Sequence, residues 1–159
     1  TAYHDQVLQG AAKRFDSGPL NRALTAVHAI DAALEPAVLA RLQTARYVQG
    51  LDTASAAVVA QVTAQALQEA GHALDADALA QRLQTDAALA QATQARTQAT
   101  QVLMRERGVR GVPQLLVSVD GAVRSVDSAA LYQGAAHLID TITGLTSPES
   151  LTKPTGAFA

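Results

Sequence analysis

Cysteine is absent from all 159 residues, and tryptophan is absent with it. Without cysteine these residues can form no disulfide framework, supply no thiolate metal ligand and offer no thiol nucleophile. Aromatic residues make up only 3% of the chain: Tyr3, Tyr47, Tyr132, Phe15 and Phe158. That leaves no aromatic platform on which nucleobases could stack. Charge is scarce as well, at 16% of residues, and the formal net charge of -2 gives no basic footprint for nucleic acid. No apolar run approaches the roughly 18 residues that a membrane-spanning helix needs. The opening "TAYHDQVLQG" lacks the basic-then-apolar layout of a signal peptide. These two absences favour a soluble protein and a cytoplasmic over a periplasmic location, with no membrane and no nucleic acid among its partners. The four histidines, His4, His28, His72 and His137, match no metal motif in their spacing, so no metal and no cofactor is expected.

What the chain does have is apolar residues, 48% of the total, arranged mostly at helical spacing. That composition favours a globular fold over disorder, and the length suits one domain or a domain with an appended subdomain. In "FDSGPLNRALTAVHAI", Asp16 or Ser17 can cap a helix that has Pro19 in its first turn. Leu20, Leu24, Val27 and Ile30 then form one apolar face. "EPAVLARLQTARYVQG" predicts a second helix, with Pro36 near its start and Gly50 placed for a left-handed cap. The short connection between the two predicts a helical hairpin. A third helix follows "LDTAS" and stops at Gly71, and a fourth, "LDADALAQRL", is capped by Asp75 or Asp77. The fifth runs from about Asp86 to Arg107, is rich in Ala and Gln, and closes at Gly108. Its Ala-rich seam lacks the sustained heptads of a coiled coil.

Beyond Gly108 the period changes. "QLLVSV" (114–119) is of strand length, "DG" (120–121) is a strong tight-turn dipeptide, and "AVRSV" can return as the paired strand. A last helix is expected from Ala129 to about Ile142, and the tail after it reads as loose. The expected divisions are 1–107, helical; 108–145, strand, turn, strand and helix; and 146–159, tail. A lone hairpin is marginal in water, and the apolar "QLLV" reads as a strand buried on both faces. Further strands should therefore complete its sheet, and an edge left open would offer a homo-oligomer contact.

The stretch "GVRGVPQLLVSVDG" (108–121), set after a helical region and before a hairpin and closing helix, resembles the C-terminal half of the DsbA-like thioredoxin-fold proteins. Within them it is most similar to the subgroup described as predicted protein-disulfide isomerases or FrnE-like proteins. The likeness extends to "FDSGPLNRALTAVHAI", "LARLQTARYVQGLDT" and the stretch from Gly71 to Leu83, and covers about Phe15 to Gly144. The resemblance implies an α/β, mostly helical chain: a DsbA-type helical insertion followed by the hairpin and helix that complete a partial thioredoxin-like fold. It implies a thiol-disulfide oxidoreductase acting on thiol or disulfide proteins or peptides. Gly111, Val112 and Pro113 would form the substrate-binding element, with the Val112–Pro113 bond cis and facing a Cys-x-x-Cys.

The chain departs from that family at the decisive point, since it has no Cys-x-x-Cys and no preceding strand. The expectation is a fragment of a larger, bacterial-type oxidoreductase, or a degenerate relative, with no catalytic residue of its own and no disulfide chemistry in isolation. Two other readings stay open. Kappa-class glutathione transferases and hydroxychromene-carboxylate isomerases share the Gly-Val-Pro element and would bring glutathione as partner. A non-enzymatic helical interaction module would use its hairpin to complete a partner's sheet. Among the remaining polar residues, Asp16 and Ser17 are better explained as a helix cap than as a nucleophile pair. Arg105, Arg107 and Arg110 suit a helix end, and His28 and His137 sit among apolar helical positions with no partner that can be named.

Overall fold

The computed structural model describes residues 16–109, 111 and 114–146. The chain is mostly helical, with one small antiparallel sheet of two strands among the described residues. It divides into two compact units, Thr1–Ala99 and Thr100–Ala159.

In the first unit the helices are α1 (Gly18–Ile30), α2 (Glu35–Tyr47), α3 (Ala56–Glu69) and α4 (Ala76–Thr85); α5 (Ala87–Glu106) begins there. Aspartates set most of the helix starts. Asp75 Oδ1 accepts from the Ala78 N–H at 2.8 Å, and Asp86 Oδ1 accepts from the Leu89 N–H at 3.0 Å, so each satisfies a donor that the first turn would otherwise leave open. At α1 the neighbouring aspartate acts instead of the serine: Ser17 occupies the cap position without a side-chain bond, while Asp16 Oδ1 accepts from the Gly18 N–H at 2.8 Å. A 3₁₀ turn, Ala32–Leu34, joins α1 to α2, and the two helices pack on one another as the short connection predicts. Gly71, just past α3, has φ +87°, a conformation that costs a residue with a Cβ.

The core of this unit is made of a few large aliphatic side chains set among alanines. Val27, Leu42, Val59 and Leu67 are fully buried, with Leu79 and Leu83 about 1% exposed, and Ala23 and Ala60 belong to the same buried cluster. Alanines at buried positions leave room for the larger aliphatic side chains, and α3 packs most extensively on α4, with α1 and α2 also against it. Helix α4 is also tied to α1 by a polar contact: Arg22 Nη1 donates to the Leu83 carbonyl at 2.6 Å, near the helix end where carbonyls lack helical partners.

The second unit holds the end of α5, the strands β1 (Leu116–Val119) and β2 (Ala122–Ser125), a 3₁₀ turn at Ser128–Tyr132, and α6 (Ala135–Thr146). The strands pair in the register Leu116↔Ser125, Val117↔Arg124, Ser118↔Val123 and Val119↔Ala122. Asp120 (φ 50°) and Gly121 (φ 80°) both have positive φ, as the two central residues of a type I′ hairpin turn must. Two sequence expectations are corrected here. The final helix does not run unbroken from Ala129: Asp127 caps a 3₁₀ turn through the Ala129 N–H at 2.9 Å, Gly134 (φ 94°) interrupts the chain, and α6 starts only at Ala135. Nor is "QLLV" buried on both faces. Gln114 to Val117 are each half-buried and Ser118 is exposed, and Val126 and Ala130 are the unit's fully buried residues among those described.

Candidate functional site

Of the three residues expected to bind substrate, Gly111 is exposed, and Val112 and Pro113 lie outside the described residues, as does Arg110. A Cβ added at Gly111 would meet nothing within 4 Å. The residue that follows this element is held firmly. Gln114 Nε2 donates to Ser125 Oγ at 2.6 Å and to the Val126 carbonyl at 2.8 Å, and the Val126 N–H donates to the Leu115 carbonyl at 2.9 Å. The entry to β1 is thereby clamped to the end of β2.

The register fixes which backbone groups remain open. A two-residue turn makes Val119 and Ala122 a hydrogen-bonded pair, and antiparallel ladders alternate, so Leu115, Val117 and Val119 direct their N–H and C=O groups to β2. Those of Leu116 and Ser118 point the other way, along an edge that has no strand beside it among the described residues. Such an edge, flanked by half-buried apolar side chains, is a template for another strand.

A second polar constellation, in the helical unit, was not legible as a group. His28, in the last turn of α1, places Nδ1 2.8 Å from Glu35 Oε2 at the start of α2. Arg96 reaches across from α5, donating through Nη2 to Glu35 Oε1 at 2.7 Å and through Nη1 to Thr25 Oγ1 at 3.4 Å. Thr25 in turn donates to the Asn21 carbonyl at 2.9 Å. Burial by itself would raise the Glu35 carboxyl, but hydrogen bonds from Arg96 and His28, reinforced by their charge, outweigh it and hold the group below its ordinary range. His28, for which the sequence names no partner, thus has a carboxylate against it and a side chain 49% exposed, while His137 on α6 is exposed. Sequence reasoning missed Glu35 and Arg96. The available signal was Arg96 itself, the single charged residue between Asp86 and Arg105 in an Ala/Gln/Thr run.

A cavity of about 170 Å³ lies against α1 and α2, with Leu20, Leu39 and Leu42 as apolar walls and Arg46, Tyr47 and Thr53 among its polar lining. Arg46 Nη1 donates to the buried Thr53 Oγ1 at 3.0 Å, and its guanidinium stands 5.6 Å from the centroid of the Tyr47 ring. Among the described residues no three His, Asp or Glu side chains gather as metal ligands, and no helix is long and apolar enough to cross a membrane. No family model matches this chain, and no curated protein and no solved structure matches it either.

Proposed function

We propose that this chain is the helical and C-terminal portion of a DsbA-like thiol-disulfide oxidoreductase. In this reading residues 108–145 complete a thioredoxin-type sheet, and Gly111, Val112 and Pro113 form the element that receives an extended thiol or disulfide peptide. The observation that supports it is the β1–β2 hairpin, whose Leu116 and Ser118 edge is open among the described residues and stands directly after that element. A helical body joined to a hairpin and closing helix follows the order of elements expected of such a protein.

The chemistry would divide between this chain and its complement. With no cysteine among its 159 residues, the thiols must come from outside them. There a thiolate at a helix N-terminus would be stabilised by the helix dipole, which lowers its pKa and makes it a better leaving group in disulfide exchange. The Val112 backbone N–H and C=O would pair with the substrate in strand fashion and align its sulfur for attack. Disulfide reduction of insulin by the product of the whole encoding gene tests this. The expected result is turnover by a gene product that carries a Cys-x-x-Cys and none by the 159 residues alone; a whole gene product without a cysteine pair, or one that is inert, overturns it.

A further inference from the structure

We propose that His28 Nε2 is a phosphoryl-acceptor site, a nucleophilic imidazole held in its reactive tautomer by Glu35. This stands apart from disulfide chemistry and uses only the helical unit. In the neutral ring one nitrogen carries the proton and the other the lone pair, and the partner of one nitrogen decides which. The Glu35 carboxylate, 2.8 Å from Nδ1, accepts a hydrogen bond from Nδ1–H and so leaves the lone pair on Nε2. Glu35 is itself fixed in that role: Arg96 holds its other oxygen at 2.7 Å and helps to keep the group ionised. The result is an imidazole oriented by a carboxylate, which is in turn oriented by a guanidinium, with the ring 49% exposed.

Electrophilic addition at such a ring has a defined charge balance. With phosphoramidate as donor, the P–N bond breaks and ammonia leaves, the Nε2–P bond forms, and the Nδ1 proton stays on the ring. The ring therefore becomes cationic as the bond forms. Two features of this position stabilise that cation: the Glu35 carboxylate against Nδ1, and the carbonyl end of α1, in whose last turn His28 lies. The phosphoryl oxygens, at an exposed position, keep their hydration. Attack by Nε2 is thus favoured over attack by an imidazole without a carboxylate partner.

The molecule supplies its own reference in His137, exposed on α6, for which no carboxylate contact is found among the described residues. The native chain is incubated with phosphoramidate, and acid-labile phosphate on each histidine is followed by site-resolved mass spectrometry. His28 is expected to react roughly tenfold faster than His137, the lower end of what loss of an imidazole's carboxylate partner costs at metal sites, and Glu35→Ala, which leaves no acceptor for Nδ1, is expected to abolish that advantage. Equal rates at His28 and His137 in the native chain overturn the proposal whether or not the variant folds. So does a preference for His28 that survives in a folded Glu35→Ala protein, because the orienting side chain would then contribute nothing.

Discussion

Replacing Glu35 by glutamine tests the polar node through stability. The carboxylate accepts one hydrogen bond from Arg96 on α5 and faces His28 on α1, at 2.7 and 2.8 Å, so the substitution weakens ties among three helices in one step. Its side chain is 22% exposed, so solvent screens the pair only in part. Exposed ion pairs contribute about 0.2–1 kcal/mol, and hydrogen bonds to charged groups about 1.5–3 kcal/mol. Glutamine keeps the shape and one acceptor oxygen, so a loss of about 1–2 kcal/mol at neutral pH is expected. The pH dependence is the sharper part. Because the carboxyl is held below its ordinary range in the folded protein, its contribution is fully present above the unfolded-state pKa and disappears as pH falls through the lower folded value. Urea denaturation followed by far-UV circular dichroism, at neutral and at acid pH, should therefore show a gap between native and variant that narrows at the acid end. A gap equal at both pH values, or none at neutral pH, would refute the reasoning.

Other substitutions separate packing from backbone geometry. Leu67→Ala removes a fully buried side chain whose neighbours include residues already trimmed to Ala, which cannot swing in to fill the space; a loss of about 3–4 kcal/mol in urea denaturation is expected, and less than about 1 kcal/mol would contradict the packing described. Gly121→Ala forces a Cβ into φ 80° and should cost the hairpin about 1 kcal/mol or more, read as faster amide exchange at Val117 and Val119. Gly111→Ala, which meets open space, should leave hairpin exchange unchanged.

The helical part of this fold was written plainly in the chain, because its signals are local. Asp75, Pro36, Gly50 and Gly71 sit where helix geometry needs them, and the apolar spacing of Val59 and Leu67 brings both to the core. The Asp120–Gly121 turn was legible for the same reason. The break at Gly134 was not, since a helix-like apolar pattern continues across it and only the positive φ marks the interruption. The polar node was hidden by distance: Arg96 lies 61 residues from Glu35, and no periodicity records that α5 returns to the start of α2. Of the residues expected to bind substrate, Val112 and Pro113 are assigned by resemblance to the family element alone.

In the proposed oxidoreductase, β1 would be an inner strand of a larger sheet whose remaining strands come with the thiols. Hydrogen exchange at the Leu116 and Ser118 amides, compared between the 159-residue chain and the product of the whole encoding gene, tests it most directly. Fast exchange is expected at both amides in the chain alone and strong protection in the whole product, with Val117 and Val119 protected in each. Leu116 and Ser118 amides that exchange equally fast in both proteins would contradict it.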